Sequence, residues 1–383
     1  MTLLVSAALT AMSCGYRVLP DRFGVYIWGA LPPVANPLAA ASQDAQYLGV
    51  HVVRVCLSPY WDPQPSSGDR FLPLDQKMWR ADYREILSSF PVVMITAYDM
   101  ATYDARYRDR NGFVTNAKWT AALDSVRDEF RRFTFELSKL PNTFIISNWE
   151  AENDATDDQW ADYMDYLQAR LDGIAWGRRK AREAGHPGTV LSAVEFTHVK
   201  PGWSDPRLGA PPRKACGLDA ALNLRGVDFL SYSAWESIYY TSNPRYTPEQ
   251  LHNAFSTIWA DCQQHLQRCR LIVGEAGYLR DSDPDNSNLG AIFAECLRSG
   301  ADYIVNWAAY DQPGQVDSYG LNVDESKFGK FDLARHLTSQ GTFFRDFINH
   351  GMSSSSTRAF WTIPLHGRVL AFLRGTGLLT RQP

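Results

Sequence analysis

The sequence lacks a strong charge of either sign, a long hydrophobic run and a clustered set of metal-binding side chains. With 38 basic and 42 acidic residues in a chain of 383, the formal net charge is only −4, which excludes a general electrostatic footprint for nucleic acid. The apolar run at residues 2–13 is too short to cross a bilayer as a helix, and no other segment is a candidate. The six cysteines lack zinc-type C-x-x-C spacing, and no glycine-rich phosphate turn follows the first strand-like segment.

The N-terminal segment indicates export, although its signal is incomplete. Residues 2–13 resemble the core of a signal peptide, and the sequence Ala-Met-Ser before Cys14 resembles a lipoprotein cleavage box with a lipid anchor at that cysteine. No basic residue precedes the run, so a cytoplasmic protein is the alternative. Cys262 and Cys269 are seven residues apart on a predicted helix, too far to bridge, and are interpreted as buried apolar residues.

Aromatic residues are abundant, with 12 Trp, 18 Tyr and 19 Phe. Hydrophobic residues make up 45% of the chain, which is enough to bury a large core. Most of the aromatic side chains are expected in that core. The remainder supply the flat faces on which a sugar-binding cleft depends.

Eight short, nearly continuous apolar segments alternate with amphipathic helical patterns, which predicts a single (β/α)8 TIM barrel over residues 22–350. An open, doubly wound sheet is the structural alternative. Residues 1–21 are interpreted as a signal-like or disordered segment, and residues 351–383 as a Ser-rich linker with an apolar and basic tail. The predicted strands are 23–28, 51–57, 91–97, 143–149, 189–194, 227–233, 270–274 and 302–307, and a last helix is predicted over 331–347.

The chemistry of such a barrel lies at the C-terminal ends of its strands. The fourth predicted strand runs into Asn148, Glu150 and Glu152, and the seventh runs into Glu275. Two carboxyl groups that face each other across a barrel mouth are what glycoside hydrolysis requires, because one protonates the leaving oxygen and the other attacks the anomeric carbon.

An acid after the fourth strand and a glutamate after the seventh resemble the retaining glycoside hydrolases of clan A, the cellulase and beta-galactosidase superfamily. The resemblance covers about residues 22–350 and implies a carbohydrate substrate, no cofactor and no metal. It implies that Glu275 is the nucleophile, within the sequence Val-Gly-Glu-Ala-Gly. It further implies that Arg54 orients this nucleophile, that the Tyr232 hydroxyl bonds to it, and that Trp307 lies under the sugar.

The identity of the acid is left open between Glu150 and Glu152. The clan usually has Asn directly before its acid, and here neither glutamate follows an Asn. Strand alternation puts Asn148 and Glu150 on one face, so Asn148 could replace the missing side chain, which favours Glu150. Patterns in beta-galactosidase-like members align better with Glu152.

Further polar and aromatic residues at the predicted mouth are candidates for binding substrate. Asp99 could bind a sugar hydroxyl or simply begin a turn, and Glu275 with Arg54 could be no more than a structural ion pair. The long loops 58–75, 98–116 and 196–217 are expected to wall a groove for more than one sugar. The remaining candidates are Trp28, Tyr98, Glu195, His198 and Trp235.

Three functions are compatible with these residues. The first is a retaining hydrolase of O-glycosidic bonds, acting on a beta-linked oligo- or polysaccharide in the cell envelope or outside the cell. The second is a barrel that binds glycan without cleaving it. The third is a transglycosylase or a metal-dependent hydrolase on the same fold, since fold alone does not decide function.

Overall fold

The structure, a computed structural model, describes residues 19–59, 61–63, 71–100, 116–202, 214–238, 248–265, 270–312 and 327–350. Its centre is a closed barrel of eight parallel strands, in which each strand pairs with the next and the eighth pairs with the first. The predicted fold class is therefore confirmed. The strands are β1 Phe23–Ile27, β2 Val52–Leu57, β3 Val92–Ala97, β4 Thr143–Ser147, β5 Thr189–Phe196, β6 Phe229–Ser233, β7 Leu271–Ala276 and β8 Tyr303–Asn306.

Helices follow the strands and form the outer layer of the barrel. A 3-10 turn lies at Arg280–Ser282. The helices of the described residues are α1 Leu19–Arg22, α2 Pro37–Tyr47, α3 Leu74–Lys77, α4 Ala81–Ser89, α5 Asn116–Leu137, α6 Ala151–Asp154, α7 Trp160–Glu183, α8 Gly217–Asn223, α9 Trp235–Ile238, α10 Pro248–His265, α11 Ser287–Arg298 and α12 Ser339–His350.

The strands are predominantly apolar because both of their faces are buried. Every residue of β1, β2, β6 and β7 is buried. Alternate residues point into the lumen, where one cluster includes Tyr26, Met94 and Ile272. The others face the helices, so the near-continuous apolar runs of the sequence are explained by two separate cores.

Two interpretations of the sequence are corrected outside the barrel. The last helix begins at Ser339 and not at Phe331, because Phe331 forms isolated β-bridges with Tyr310 and Leu337. Cys262 is disulfide-bonded. Its helix is described as far as His265, and Cys269 lies outside the described residues.

The structure gives no description of residues 1–18 or 351–383, so the interpretations of both ends of the chain lie outside the described residues. Among the helices that are described, none combines the length and the apolar character needed to span a bilayer. Much of the three loops expected to wall a groove, including Tyr60, Tyr103, Tyr107 and Trp203, also lies outside the described residues.

Candidate active site

Glu150 and Glu275 lie at the same mouth of the barrel, the one formed by the C-terminal ends of the strands. Glu150 follows β4 and precedes the short helix α6, and Glu275 is the penultimate residue of β7. Both side chains are almost completely buried, with exposed fractions of 4% and 2%. Two carboxyl groups are therefore enclosed together in a setting where charge is costly unless it is compensated.

A break in strand register turns Glu275 toward the mouth. In β7, Ile272 belongs to the lumen cluster while Val273 and Ala276 belong to the helix-facing core. Strict alternation would then send residue 275 toward the helices. The pairing with β6 shifts after Tyr232, so that Ser233 pairs with Glu275, and the pairing with β8 shifts over the same stretch. Such a bulge re-aims a side chain, which explains the position of Glu275.

The hydroxyl group of Ser233 joins the two carboxyl groups. It is hydrogen-bonded to Glu150 Oε1, and its oxygen lies 3.4 Å from Glu275 Oε2. Because the contact with Glu150 is the shorter one, the two carboxyl oxygens are separated by less than twice 3.4 Å, or below about 6.8 Å. The amide of Asn153 donates to the other oxygen of Glu150.

The pKa of Glu150 is raised well above its ordinary value. Burial is the main cause, and the nearby carboxylate of Glu275 adds to it, whereas the hydrogen bond from Ser233 acts in the opposite direction. A carboxyl group in this setting holds a proton at a pH where an exposed glutamate has lost it. Glu150 therefore has the electrostatic environment of a general acid.

Two cationic or polar donors face Glu275. The Arg54 guanidinium lies 3.3 Å from its Oε1 atom, and the indole N–H of Trp235 donates to Oε2 at 2.9 Å. Both contacts favour the ionised carboxylate. The expected proximity of Arg54 to Glu275 is thus present in the structure, while the indole donor was not foreseen in that role.

Arg54 is held by Glu195 more closely than by Glu275. Its two terminal nitrogens donate to the two oxygens of Glu195, each at 2.8 Å, and Thr96 accepts from Nε at 2.9 Å. Burial alone would lower the pKa of Arg54, but the charges of Glu195 and Glu275, the nearby Tyr26 and the hydrogen bonds to Glu195 together outweigh it, so the pKa is raised. Glu195 was expected to bind substrate. It is instead fully buried and fixes the arginine that faces Glu275.

Tyr232 does not take the role that the resemblance implied. Its ring faces the helix layer and packs against Phe255 of α10 at 5.9 Å, and its hydroxyl bonds to Ser237 at 2.6 Å. The reason is strand alternation, because Ser231 and Ser233 on either side of it face the lumen. The sequence Phe-Leu-Ser-Tyr-Ser indicates this orientation, because its two serines share one face and Tyr232 lies on the other. The resemblance matched Tyr232 by its place in the chain only.

Glu152 is separated from Glu150 by its partners. Its carboxylate accepts backbone N–H groups from Thr197 at 3.0 Å, His198 at 3.1 Å and Gly217 at 2.6 Å. It therefore ties the end of β5 to the start of α8. Three backbone donors of this kind leave a carboxylate little capacity to act on a substrate.

Several other candidate residues form hydrogen bonds to neighbouring residues of the barrel. The amide of Asn148 exchanges two hydrogen bonds of 2.9 Å with the backbone of Glu195, so it extends the β4–β5 ladder and does not stand beside Glu150 as a sugar ligand. Asp99 is completely buried and accepts a hydrogen bond from Tyr166 on α7. The Tyr98 hydroxyl bonds to Asp154 at 2.8 Å.

His198 is also buried, with 2% of its surface exposed, so its side chain does not lie on an exposed loop. Trp61, from the first long loop, donates its indole N–H to the carbonyl of Gly29 at 3.1 Å. It thereby fastens the loop to the end of β1.

Aromatic rings line one side of the mouth beside Glu275. Trp307 lies between Trp28 and Trp235, with ring centroids 5.3 and 6.2 Å away, and Phe328 packs against Trp235 at 5.7 Å. Three aromatic candidates from the sequence, Trp28, Trp235 and Trp307, are thus brought together. Phe328 lies outside the predicted strands and was not a candidate, but it packs against the same group. Such a wall offers a sugar ring a flat apolar face.

Within the described ranges, no group of three or more His, Cys, Asp or Glu side chains is arranged to hold a metal ion. The functional residues that sequence reasoning missed are Ser233, Asn153 and Phe328. Of these, only Ser233 had a detectable signal, its place on the lumen face of β6 next to the strand end.

The fold and the carboxyl pair together define a (β/α)8 barrel with two buried glutamates at the C-terminal mouth of its strands. Solved structures confirm the likeness in fold. An exo-beta-1,4-mannosidase from Opitutaceae bacterium strain TAV5 superposes with a TM-score of 0.54 at 14% identity, over 88% of this chain and 60% of that one. A GH5_18 protein from Bifidobacterium longum subsp. infantis gives 0.55 at 13% identity, over 85% and 78%.

A beta-glucuronidase from Ruminococcus gnavus gives a TM-score of 0.51 at 12% identity, over 85% of this chain and 49% of that one. The chain thus spans well under two thirds of the mannosidase and the glucuronidase. No family model matches the chain, and no curated protein matches its sequence. At these identities the comparisons show the barrel that the resemblance to clan A implied, and these similar structures are glycoside hydrolases.

Proposed function

We propose that this protein is a glycoside hydrolase that cleaves O-glycosidic bonds by a retaining double displacement. The carrying observation is the buried pair of Glu150 and Glu275, bridged by one serine hydroxyl at the C-terminal mouth of the barrel. Retaining enzymes have carboxyl groups about 5–5.5 Å apart, and inverting enzymes about 6.5–9.5 Å. The two oxygens that Ser233 bridges lie less than about 6.8 Å apart, a limit that excludes most of the inverting range and is compatible with the retaining one.

In the proposed first step, Glu275 attacks the anomeric carbon as a carboxylate. Arg54 and the indole of Trp235 stabilise its negative charge before the attack. Glu150 gives its proton to the leaving oxygen as the glycosidic bond breaks. The elevated pKa of Glu150 supports this assignment, because the proton must be present at working pH.

In the proposed second step, the ester between the sugar and Glu275 is hydrolysed. Esterification removes the negative charge that helped raise the pKa of Glu150, so this group can now accept a proton from water. The water oxygen bonds to the anomeric carbon on the face opposite to Glu275. The product then has the same anomeric configuration as the substrate.

A beta-linked glycan is the proposed substrate. Support comes from the aromatic wall of Trp28, Trp235 and Trp307 and from the printed names of similar structures, an exo-beta-1,4-mannosidase and a beta-glucuronidase. The proposed location is outside the cytoplasm or in the cell envelope. The disulfide at Cys262 supports it, because disulfides persist in oxidising compartments.

The function is tested with a panel of aryl beta-glycosides and polysaccharides, together with the Glu275→Gln variant. We expect hydrolysis of at least one beta-glycoside, retention of configuration in an NMR time course, and loss of at least about a thousandfold in rate for the variant. Binding of a glycan without turnover would support the non-catalytic alternative. An inverted product would contradict the retaining step.

A further inference from the structure

The donors that surround the carboxyl pair differ in what they can do. The Asn153 amide, the Trp235 indole and the Arg54 guanidinium each present N–H groups to Glu150 or Glu275, and an N–H group can only donate. The hydroxyl group of Ser233 both donates and accepts. It also touches both carboxyl groups, with Glu150 on one side and Glu275 3.4 Å away on the other.

We infer that Ser233 is a positioning residue whose hydroxyl reverses its hydrogen bond with Glu150 each time that carboxyl group gains or loses its proton. This inference rests on the proposed function and assigns a role to a residue outside the pair itself. The inference follows from the position of the hydroxyl group between Glu150 and Glu275. In the proposed reaction Glu150 becomes charged as Glu275 becomes neutral, so the hydroxyl must hydrogen-bond to two groups whose charges change in opposite directions.

Ser233 keeps its proton through the whole proposed reaction cycle. When Glu150 is protonated, its O–H donates to Ser233 Oγ, and the serine proton points to Glu275 Oε2. Proton transfer to the leaving oxygen and formation of the sugar–Glu275 bond leave Glu150 ionised and Glu275 neutral. The hydroxyl then turns and donates to Glu150. When water attacks, its proton returns to Glu150, the sugar–Glu275 bond breaks with its electron pair on Glu275, and the hydroxyl turns back.

The surroundings of Glu150 make this hydrogen bond consequential. The carboxyl group faces Glu275 on β7 and Glu195 on β5, and Glu152 lies two residues further along its own segment. Arg54 on β2 faces Glu275 and Glu195. The negative neighbours oppose ionisation of Glu150, and donation from Ser233 favours it. A hydrogen bond donated to a carboxylate is stronger than one accepted from a neutral carboxyl group. Removal of the hydroxyl should therefore destabilise the ionised form more and raise the pH at which Glu150 titrates.

The test is carbon-13 NMR of the full chain labelled at glutamate Cδ, in which the Glu150→Gln variant identifies the Glu150 signal. Ser233→Ala is expected to raise the titration midpoint of Glu150 by about one pH unit. Ser231→Ala is the matched control, because it removes a hydroxyl from the same strand and the same face, one bonded to Glu195 at 2.8 Å. The control should leave the midpoint within about 0.3 unit, and Ser233→Thr should restore it.

The same variants are then assayed on the best glycoside substrate. With Ser233→Ala, the alkaline limb of the pH profile of kcat/KM should move to higher pH by the same amount as the NMR midpoint. Thermal unfolding checks that each variant is folded. An unchanged midpoint in Ser233→Ala, or an equal shift in Ser231→Ala, overturns the inference whatever the activity. A shifted midpoint in a protein that cleaves no glycoside supports the role of Ser233 at Glu150 and refutes the proposed hydrolase.

Discussion

Replacement of Glu150 and of Glu152 by alanine should have opposite consequences, although the two residues are almost adjacent. Glu152 accepts three backbone N–H groups that would be left buried and unpaired in Glu152→Ala. Each such group costs about 1 kcal/mol or more, so the variant should lose about 3 kcal/mol of unfolding free energy. For a chain of 383 residues that corresponds to a fall of about 4 °C in the melting temperature.

Glu150→Ala should leave stability unchanged or increase it. Its folded-state pKa is raised by burial and by Glu275, so ionisation of Glu150 works against folding as the pH rises above the unfolded value of about 4.3. Removal of the carboxyl group lifts this cost, and the gain over wild type should grow with pH from that point. Urea unfolding followed by circular dichroism at several pH values measures both variants and requires no substrate.

Kinetics should separate the same two variants a second time. Loss of the general acid slows substrates with poor leaving groups by about 100- to 10,000-fold, and affects dinitrophenyl glycosides far less. Azide should rescue Glu150→Ala as the glycosyl azide, because the small anion occupies the vacated space and needs no base. A stable Glu152→Ala with strong leaving-group dependence, paired with an unstable Glu150→Ala without it, would refute the reasoning from hydrogen-bond partners.

The remaining predictions concern side chains around this pair. Trp235→Phe keeps an aromatic ring but loses the N–H group that donates to Glu275, so kcat/KM should fall about tenfold or more. Tyr232→Phe should change kcat/KM by less than about twofold. Equal losses in the two variants would contradict the observed side-chain orientations. Burial raises the pKa of Glu236 to about 8, so the charge it must acquire costs stability as the pH rises from about 4.3 toward that value. The melting temperature of Glu236→Gln relative to wild type should therefore increase between about pH 5 and pH 8.5, and a constant difference would count against it. Cys262→Ser should lower the unfolding free energy by about 2–4 kcal/mol, and the wild type in reducing agent should match the variant.

The fold was predictable because its signals are local and repeated. Each strand is a short apolar run, and eight of them separated by helical patterns match one architecture. The position of the carboxyl pair was predictable for the same reason, since strand ends meet at one mouth. Helix ends were less accessible. The bridge at Cys262 was missed because a disulfide depends on the position of a second cysteine in space, which spacing along the sequence does not give.

The roles of the supporting residues could not be predicted because they depend on neighbours distant in sequence. Glu195 and Glu275 are both buried acids near Arg54, and only the structure shows that Glu195 takes the bidentate contact. Tyr232 and Trp235 are three residues apart, yet only the second reaches Glu275. A motif gives the order of residues along the chain, but the direction of each side chain depends on register.

Register is decisive at β7, where the strand pattern is interrupted. An unbroken β7 would place the carboxylate of Glu275 among the apolar side chains that face the helices, a far larger cost than a few displaced ladder hydrogen bonds. The bulge avoids that cost, and Ser233, paired with Glu275 across the shifted register, becomes its neighbour. It also depends on Gly274, because a Cβ there would lie 2.2 Å from Glu195 Oε2 and 2.4 Å from the hydroxyl of Ser231. The glycine lets Glu195 fill the lumen and hold Arg54 beside the bulge, so one backbone irregularity and one missing side chain give Glu275 its position and its cationic neighbour.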